Sequence, residues 1–293
     1  DPSRREQGRC PRKPPSKERR AHMHAGSILS TPEERPLPRP ATRPGAAGGR
    51  TFGAMAIAYE TWTVLPHGPW EELAENLWRV EGTLDGEMRG WPRTMTAVRR
   101  TDGTVVLHSA VALDDDSMAR LEAWGRPAIL VVPNGSHRTD AYGFKQRYPA
   151  LRIYCPINNR ENVERVVPVD GSYDDFPADE TVRAEHLAGV NGWEGVLLVR
   201  SGDGVSLLFC DVISWVSDLA EPARSTIEST GFLSDRPTFA KMARDDLLRD
   251  PDAFRAHLLR LASIPDLVRV IPGHGRVITE HPGEVLRAIA AQV

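Results

Sequence analysis

The sequence predicts an α/β (α+β) fold in four layers, αββα: two mixed β-sheets packed face to face with helices on the outer sides. Three observations carry this. Strand-like runs precede helical runs, and that order occurs twice along the chain. The apolar runs "AILVV" and "GVLLV" are short, as in strands buried on both faces, and far below the roughly 20 residues of a bilayer span. No long internal linker interrupts residues 55–293, which therefore read as a single domain.

The elements follow in order. "LWRVEG" (77–82), "RTMTAVRR" (93–100) and "TVVLHSA" (104–110) are strands, with Asp102-Gly103 as a hairpin turn between the last two. "DDDSMARLEAWG" (114–125) is a helix: acids at the front, Met118, Leu121 and Trp124 at helical spacing, and Gly125 as the stop. "PAILVVP" (127–133) is a buried strand, "DAYGFKQRYP" (140–149) a helix and "LRIYCP" (151–156) a strand. In the second half "TVRAEHLAG" (181–189) alternates, and 193–213 form a hairpin turning at Gly202-Asp203-Gly204. A helical stretch over 235–264, a strand "LVRVIPG" (267–273) and a terminal helix over 282–293 complete the pattern.

The first fifty residues differ in kind. They hold 12 Lys/Arg against 5 Asp/Glu, a net of +7, and nine of the 24 prolines. Such a segment buries too little apolar surface to offset its ordering entropy, so residues 1–54 are expected to be a disordered basic tail. His22 and His24 have ligand spacing but no preorganised partners there. Met55 opens the first text that reads as folded, and residues 1–54 are expected to be upstream sequence foreign to the native protein. The rest of the chain carries a net of -10, against a general nucleic-acid surface. Cys10, Cys155 and Cys210 are widely spaced, which points to a reducing, cytoplasmic setting and not to a disulfide framework.

Chemistry is expected on four loops that each follow a strand: "PNGSHRTD" with His137 and Asp140, "LAGVNGWEG" with Asn191 and Glu194, "SLLFCD" ending at Asp211, and "IPGHG" with His274. Imidazoles with carboxylates suit zinc, manganese or iron. There is no GxSxG elbow and no phosphate-binding GxxxxGK[ST], and Cys155 and Cys210 read as buried small hydrophobes. Structural alternatives stand beside each residue. Asp140 could cap the following helix, Asp211 could pair with an arginine, and His137 could bond a backbone carbonyl. Arg138 could hold an anion or pair with an acid, and Trp193 and Glu194 could line a pocket mouth. His108 and His186 read as ordinary strand residues.

In the order of these parts, residues 77–293 resemble the metallo-β-lactamase fold superfamily, as a divergent subgroup in which "PN", a His and "YP" replace the usual metal-binding loop. Laid on the superfamily's HxHxDH motif, "GSHRTD" matches at His137, while Gly135, Thr139 and Asp140 stand where His, Asp and His are usual. Val190 stands where a further His is usual; Asp211 matches the strand-end Asp, and His274 the closing His. The resemblance implies a degenerate site with at most one divalent metal (Zn, Mn or Fe) or none. Its ligands would be His137, Asp140, Asp211 and His274, with His137, Asp140 and Asp211 as the catalytic groups. It implies a hydrolase acting on a small ester, lactone, amide or phosphoester, or else a scaffold that kept the fold and lost the metal. The expected partner is a small molecule, with neither nucleic acid nor membrane; the sequence does not set an oligomeric state.

Overall fold

Side-chain alternation along the strands decides the layers. The computed structural model describes residues 58–293, so the tail assigned to 1–54 and the start at Met55 lie outside the described residues. The first sheet runs β1 (Glu71–Ala74), β2 (Leu77–Thr83), β3 (Pro92–Arg99), β4 (Thr104–His108), β5 (Arg126–Val131), β6 (Arg152–Cys155) and β7 (Gly171–Ser172) in spatial order. It is antiparallel from β1 to β4 and parallel from β4 to β7. Next come β8 (Val182–His186), β9 (Gly195–Ser201), β10 (Gly204–Leu208), β11 (Ser214–Trp215), β12 (Leu267–Ile271) and β13 (His274–Gly275). The second sheet has the order β12-β10-β9-β8, with β10 and β12 parallel, and β11 pairs with β13 as a small separate ribbon.

Successive residues of each strand point to opposite faces. Leu77, Val98, Val106, Ile129 and Val131 of the first sheet meet Val182, Leu197, Val199, Leu208 and Ile271 of the second in one apolar layer. The other face of the first sheet, with Met95, Ala97, Leu107 and Leu130, packs on α1 (Asp115–Trp124), α2 (Ala141–Arg147) and α3 (Arg160–Glu164). On the far side, Val196, Leu198, Val205 and Leu207 pack on α4 (Ala223–Glu228), α5 (Lys241–Leu247), α6 (Pro251–Ala262) and α7 (Pro282–Ala290). The expected four-layer αββα sandwich is the observed one.

Most local signals act as read. Gly103 takes φ +77 in the β3–β4 turn, and Gly204 pairs with Ser201 across the β9–β10 hairpin. The Asp114 side chain caps α1 by accepting from the Ser117 N–H, and Met118 and Leu121 are buried. The single helical stretch expected over 235–264 is corrected to two helices. Pro251 occupies the first turn of α6 and Asp250 caps it by accepting from Ala253 N–H, so the chain must restart there. Asp250→Ala is expected to cost about 1 kcal/mol in a denaturant titration.

His108 sits at the end of β4, 2% exposed, and its Nε2 has no partner among the described residues. Burial, aided by nearby His137, pushes the imidazole down to about 3. An unfolded chain binds that proton near pH 6.5, so its contribution to stability is fully present above that pH and lost as the pH falls towards 3. Between pH 6 and 4 the wild type should lose up to about 1.4 kcal/mol per pH unit more than His108→Leu. Urea titrations across that range measure it; parallel curves for the two proteins would contradict it.

Candidate metal centre

Three strand ends meet at one end of the sandwich. Past β5, Pro133 halts the strand and Asn134 folds back, its Oδ1 accepting the N–H groups of Ser136 (2.9 Å) and His137 (3.2 Å). This turn directs His137 inward. Asn134 Nδ2 donates to Asp211 Oδ2 at 2.6 Å, so one amide sets both the histidine loop and the carboxylate. Asn159 braces the same loop, accepting from Gly135 N–H at 2.9 Å and donating to the Trp193 carbonyl.

Past β10, the backbone of Cys210, Asp211 and Val212 turns over a buried carboxylate. Glu194 accepts all three N–H groups, at 3.1, 3.1 and 3.2 Å. Burial, and after it the Asp211 charge, pushes the Glu194 carboxyl up to about 8. Past β12, His274 stands between two glycines that the packing requires. A Cβ on Gly273 would lie 3.0 Å from Cys210 backbone, and Gly275, at φ +88, would place one 2.0 Å from the Trp215 carbonyl oxygen.

The candidate ligand atoms converge. His137 Nε2 lies 3.2 Å from Asp211 Oδ1, His274 Nε2 lies 3.0 Å from the same oxygen, and the two Nε2 atoms are 3.1 Å apart. Donor atoms around one tetrahedral ion with bonds of 2.0–2.1 Å stand roughly 3.3 Å apart, close to this triangle. The outer ring nitrogens are also held. His274 Nδ1 donates to the Pro92 carbonyl at 2.6 Å, which leaves its Nε2 free to act as a ligand, and His137 Nδ1 is 2.8 Å from Ser109 Oγ. Ser109 takes a left-handed φ of 63, a strained conformation without glycine, and its hydroxyl orients the ring. The donor set and its bracing fit a single divalent ion.

The electrostatics favour the ligand form at two of the three donors, Asp211 and His137. Burial opposes ionisation of Asp211, yet His137 and His274 overcome it and hold the carboxyl well below the usual range. Burial depresses the His137 imidazole; it depresses His274 too, but the Asp211 hydrogen bond and charge outweigh it and raise the ring. The Cys210 thiol joins His137 and Asp211 with ligand atoms within 4.8 Å of one another. Burial, reinforced by Asp211 and Glu194, holds that thiol well above its ordinary value and protonated, which makes it a poor ligand.

Of the four expected ligands, three come together and Asp140 does not join them. Its Oδ2 lies 2.5 Å from Arg93 Nη1 in a buried ion pair, so a guanidinium holds the oxygen that a metal would need. Nor does it cap the following helix, since its side chain makes no cap hydrogen bond. Arg138 donates to the Asn162 carbonyl, and Glu194 lies wholly inside, away from any pocket mouth. Sequence reasoning missed Asn134, Ser109 and the cradle made by Glu194. The "PNGS" turn was a readable signal for Asn134; Ser109 and Glu194 had none, because their partners are remote in sequence.

No family model and no curated protein matches this chain, but solved structures do. It is 11% identical to the metallo-β-lactamase DIM-1 with a TM-score of 0.53, over 78% of this chain and 99% of that one. A metallo-β-lactamase from Erythrobacter litoralis gives 14% and 0.53, over 76% and 96%. TMB-1 gives 13% and 0.52, over 78% and 99%. The chain has the metallo-β-lactamase fold.

Removing Glu194 tests the cradle. Glu194→Ala strips three buried N–H groups of their acceptor and is expected to cost about 3–5 kcal/mol, whereas Glu194→Gln keeps an acceptor and should cost markedly less. Equal losses in denaturant titrations would show that one amide oxygen cannot replace the two carboxylate oxygens of the cradle.

Proposed function

We propose that this protein is a hydrolase acting on small esters, lactones, amides or phosphoesters, with one divalent ion (zinc, manganese or iron) held by His137, Asp211 and His274. The observation that carries the reading is the convergence of two imidazole nitrogens and one carboxylate oxygen within 3.2 Å, buried beside a cavity. One ion is favoured over two because Thr139 and Val190 stand at usual ligand positions, and Val190 is fully buried in apolar packing.

Such an ion supplies Lewis-acid polarisation and makes a water molecule more acidic. The chain supplies the rest. Pro92 and Ser109 fix the two rings so that Nε2 faces the centre, and Asn134 fixes the plane of the Asp211 carboxylate. A pocket lined by Trp91, Ser109, Ser136, His137, Thr139 and His274 lies beside them and is where a substrate would enter. A reducing cytoplasmic setting is supported by Cys155 and Cys210, both buried and unpaired. Among the described residues no helix is long and apolar enough to cross a membrane. The partner is a small molecule, not a nucleic acid, in keeping with the acidic body of the chain.

One observation favours the scaffold reading. Both Asp211 oxygens already have partners within the chain, so a single proton could satisfy the cluster without an ion. Elemental analysis separates the two. Tag-free protein, stripped and then offered zinc or manganese, should take up close to one equivalent. His137→Ala and His274→Ala should weaken uptake at least about tenfold, and Asp140→Asn should retain it. Hydrolysis of a panel of small esters, lactones, amides and phosphoesters should follow metal content across these variants. A wild type that takes up no metal would leave the scaffold reading standing.

A further inference from the structure

Ser109 holds the His137 ring in place, and its own setting is that of a nucleophile. It follows β4 directly, where the chain leaves the first sheet on its way to α1. Its backbone takes φ 63, a left-handed conformation costly for any residue but glycine. In α/β-hydrolases the reactive serine sits on a strained strand-to-helix turn of this kind, although Leu107 and Val111 stand here in place of the glycines that flank it there. The Ser109 hydroxyl lies 2.8 Å from His137 Nδ1, and across the ring Nε2 lies 3.2 Å from Asp211 Oδ1. Asp211 is buried and is fixed in turn by the Asn134 amide. A hydroxyl, an imidazole and a buried carboxylate stand in series, the arrangement that makes a serine nucleophilic. Serine meets Nδ1 and the acid meets Nε2, the reverse of the commoner pairing; either ring nitrogen accepts a proton while the other carries a hydrogen. Ser109 and His137 both line the pocket beside the ligand atoms, where Ser136 and Thr139 bring further hydroxyls.

We propose that the metal-free protein is a serine esterase for short-chain esters, with Ser109 as nucleophile, His137 as its base and Asp211 holding the ring. The hydroxyl oxygen attacks the ester carbonyl carbon while its proton passes to His137 Nδ1, and Asp211 holds the resulting imidazolium through Nε2–H. That proton leaves with the alcohol as the ester C–O bond breaks, which gives acyl-Ser109. A water molecule then adds to the acyl carbon and gives a proton to Nδ1. The serine oxygen recovers this proton as its bond to the acyl group breaks and the acid departs. The sum is ester plus water to acid plus alcohol, with no ion, oxidant or reductant. Only the acyl group enters the pocket, and the alcohol side of the ester stays outside it. An ion on His137 Nε2 excludes this chemistry, because the ring hydrogen then sits on Nδ1 and the Ser109 oxygen can only accept it. The serine reaction thus stands apart from the metal-dependent hydrolysis and does not rest on it.

The test uses the full chain stripped of metal and methanesulfonyl fluoride, a small reagent that transfers its sulfonyl group to activated serines and releases fluoride. Mass spectrometry of the intact wild type should show a single adduct, and peptide mapping should place it on Ser109. The same chain unfolded in urea should not be labelled, since an unpaired serine is unreactive. With p-nitrophenyl acetate, the stripped wild type should give a burst of p-nitrophenol and an acetyl group on Ser109. Ser109→Ala should lose the burst and slow steady turnover at least about a hundredfold. The mapping is read on the wild type, so it decides the matter even if the variant folds poorly. No adduct on the folded chain, an adduct on another residue with Ser109 unmodified, equal labelling in urea, or turnover unchanged in Ser109→Ala would each overturn the assignment. Failure of the protein to take up zinc would sink the metal-dependent reading alone, because every measurement here is made without metal.

Discussion

A carboxylate taken wholly out of water is the constraint around which the rest of the molecule is arranged. Asp211 is 1% exposed, and an isolated charge at that depth would protonate or unfold its surroundings. It is kept ionised by partners from two other strand ends, His137 and His274, which lie 74 and 63 residues away in the chain. The amide of Asn134 completes its shell. Neither imidazole can reach unless the first sheet and the β10–β12 pair are packed in their observed register. The electrostatics of one side chain and the stacking of two sheets are therefore one problem.

The backbone around that carboxylate is arranged at comparable cost. Glu194 is buried to gather three consecutive N–H groups, although burial opposes its own ionisation. Gly273 and Gly275 let the His274 segment pass close to Cys210 and Trp215, so close at Gly275 that no side chain would fit. Ser109 accepts a left-handed backbone and places its hydroxyl on the outer nitrogen of His137. A left-handed serine, close-passing glycines and buried carboxylates around one centre are features expected where a fold holds reactive groups in fixed positions.

Much of this was legible in the sequence because its signals are local. Strand periodicity, the Asp102-Gly103 and Gly202-Asp203-Gly204 turns and the acid-rich start of α1 each act over a few residues, and each has its expected consequence in the fold. The glycines beside His274 marked a tight turn for the same reason. What could not be read depends on contacts between distant segments. Asp140 looked like a ligand from its place on the His137 loop and from the motif resemblance, but Arg93, 47 positions earlier, lies against it and takes its charge. Glu194 looked like a residue at a pocket rim, and only the return of β10 beneath it makes it a cradle. The break at Pro251 was in plain view, yet the helical spacing on either side concealed it. The fold was thus more legible than the site, since layers follow from periodicity whereas a buried ion pair follows from which loops happen to meet.

The likeness to metallo-β-lactamases establishes the architecture, and the three-donor centre gives this chain its own claim to chemistry within it. That claim reduces to the state of two ring nitrogens. Nitrogen-15 NMR of the His137 and His274 rings, recorded before and after one equivalent of zinc, reads them directly. The account predicts that Nδ1 of His274 carries a hydrogen throughout and that both Nε2 signals move together on zinc addition. Rings whose Nε2 signals do not respond to zinc would contradict it and leave Asp211 and its histidines as a buried proton-sharing cluster.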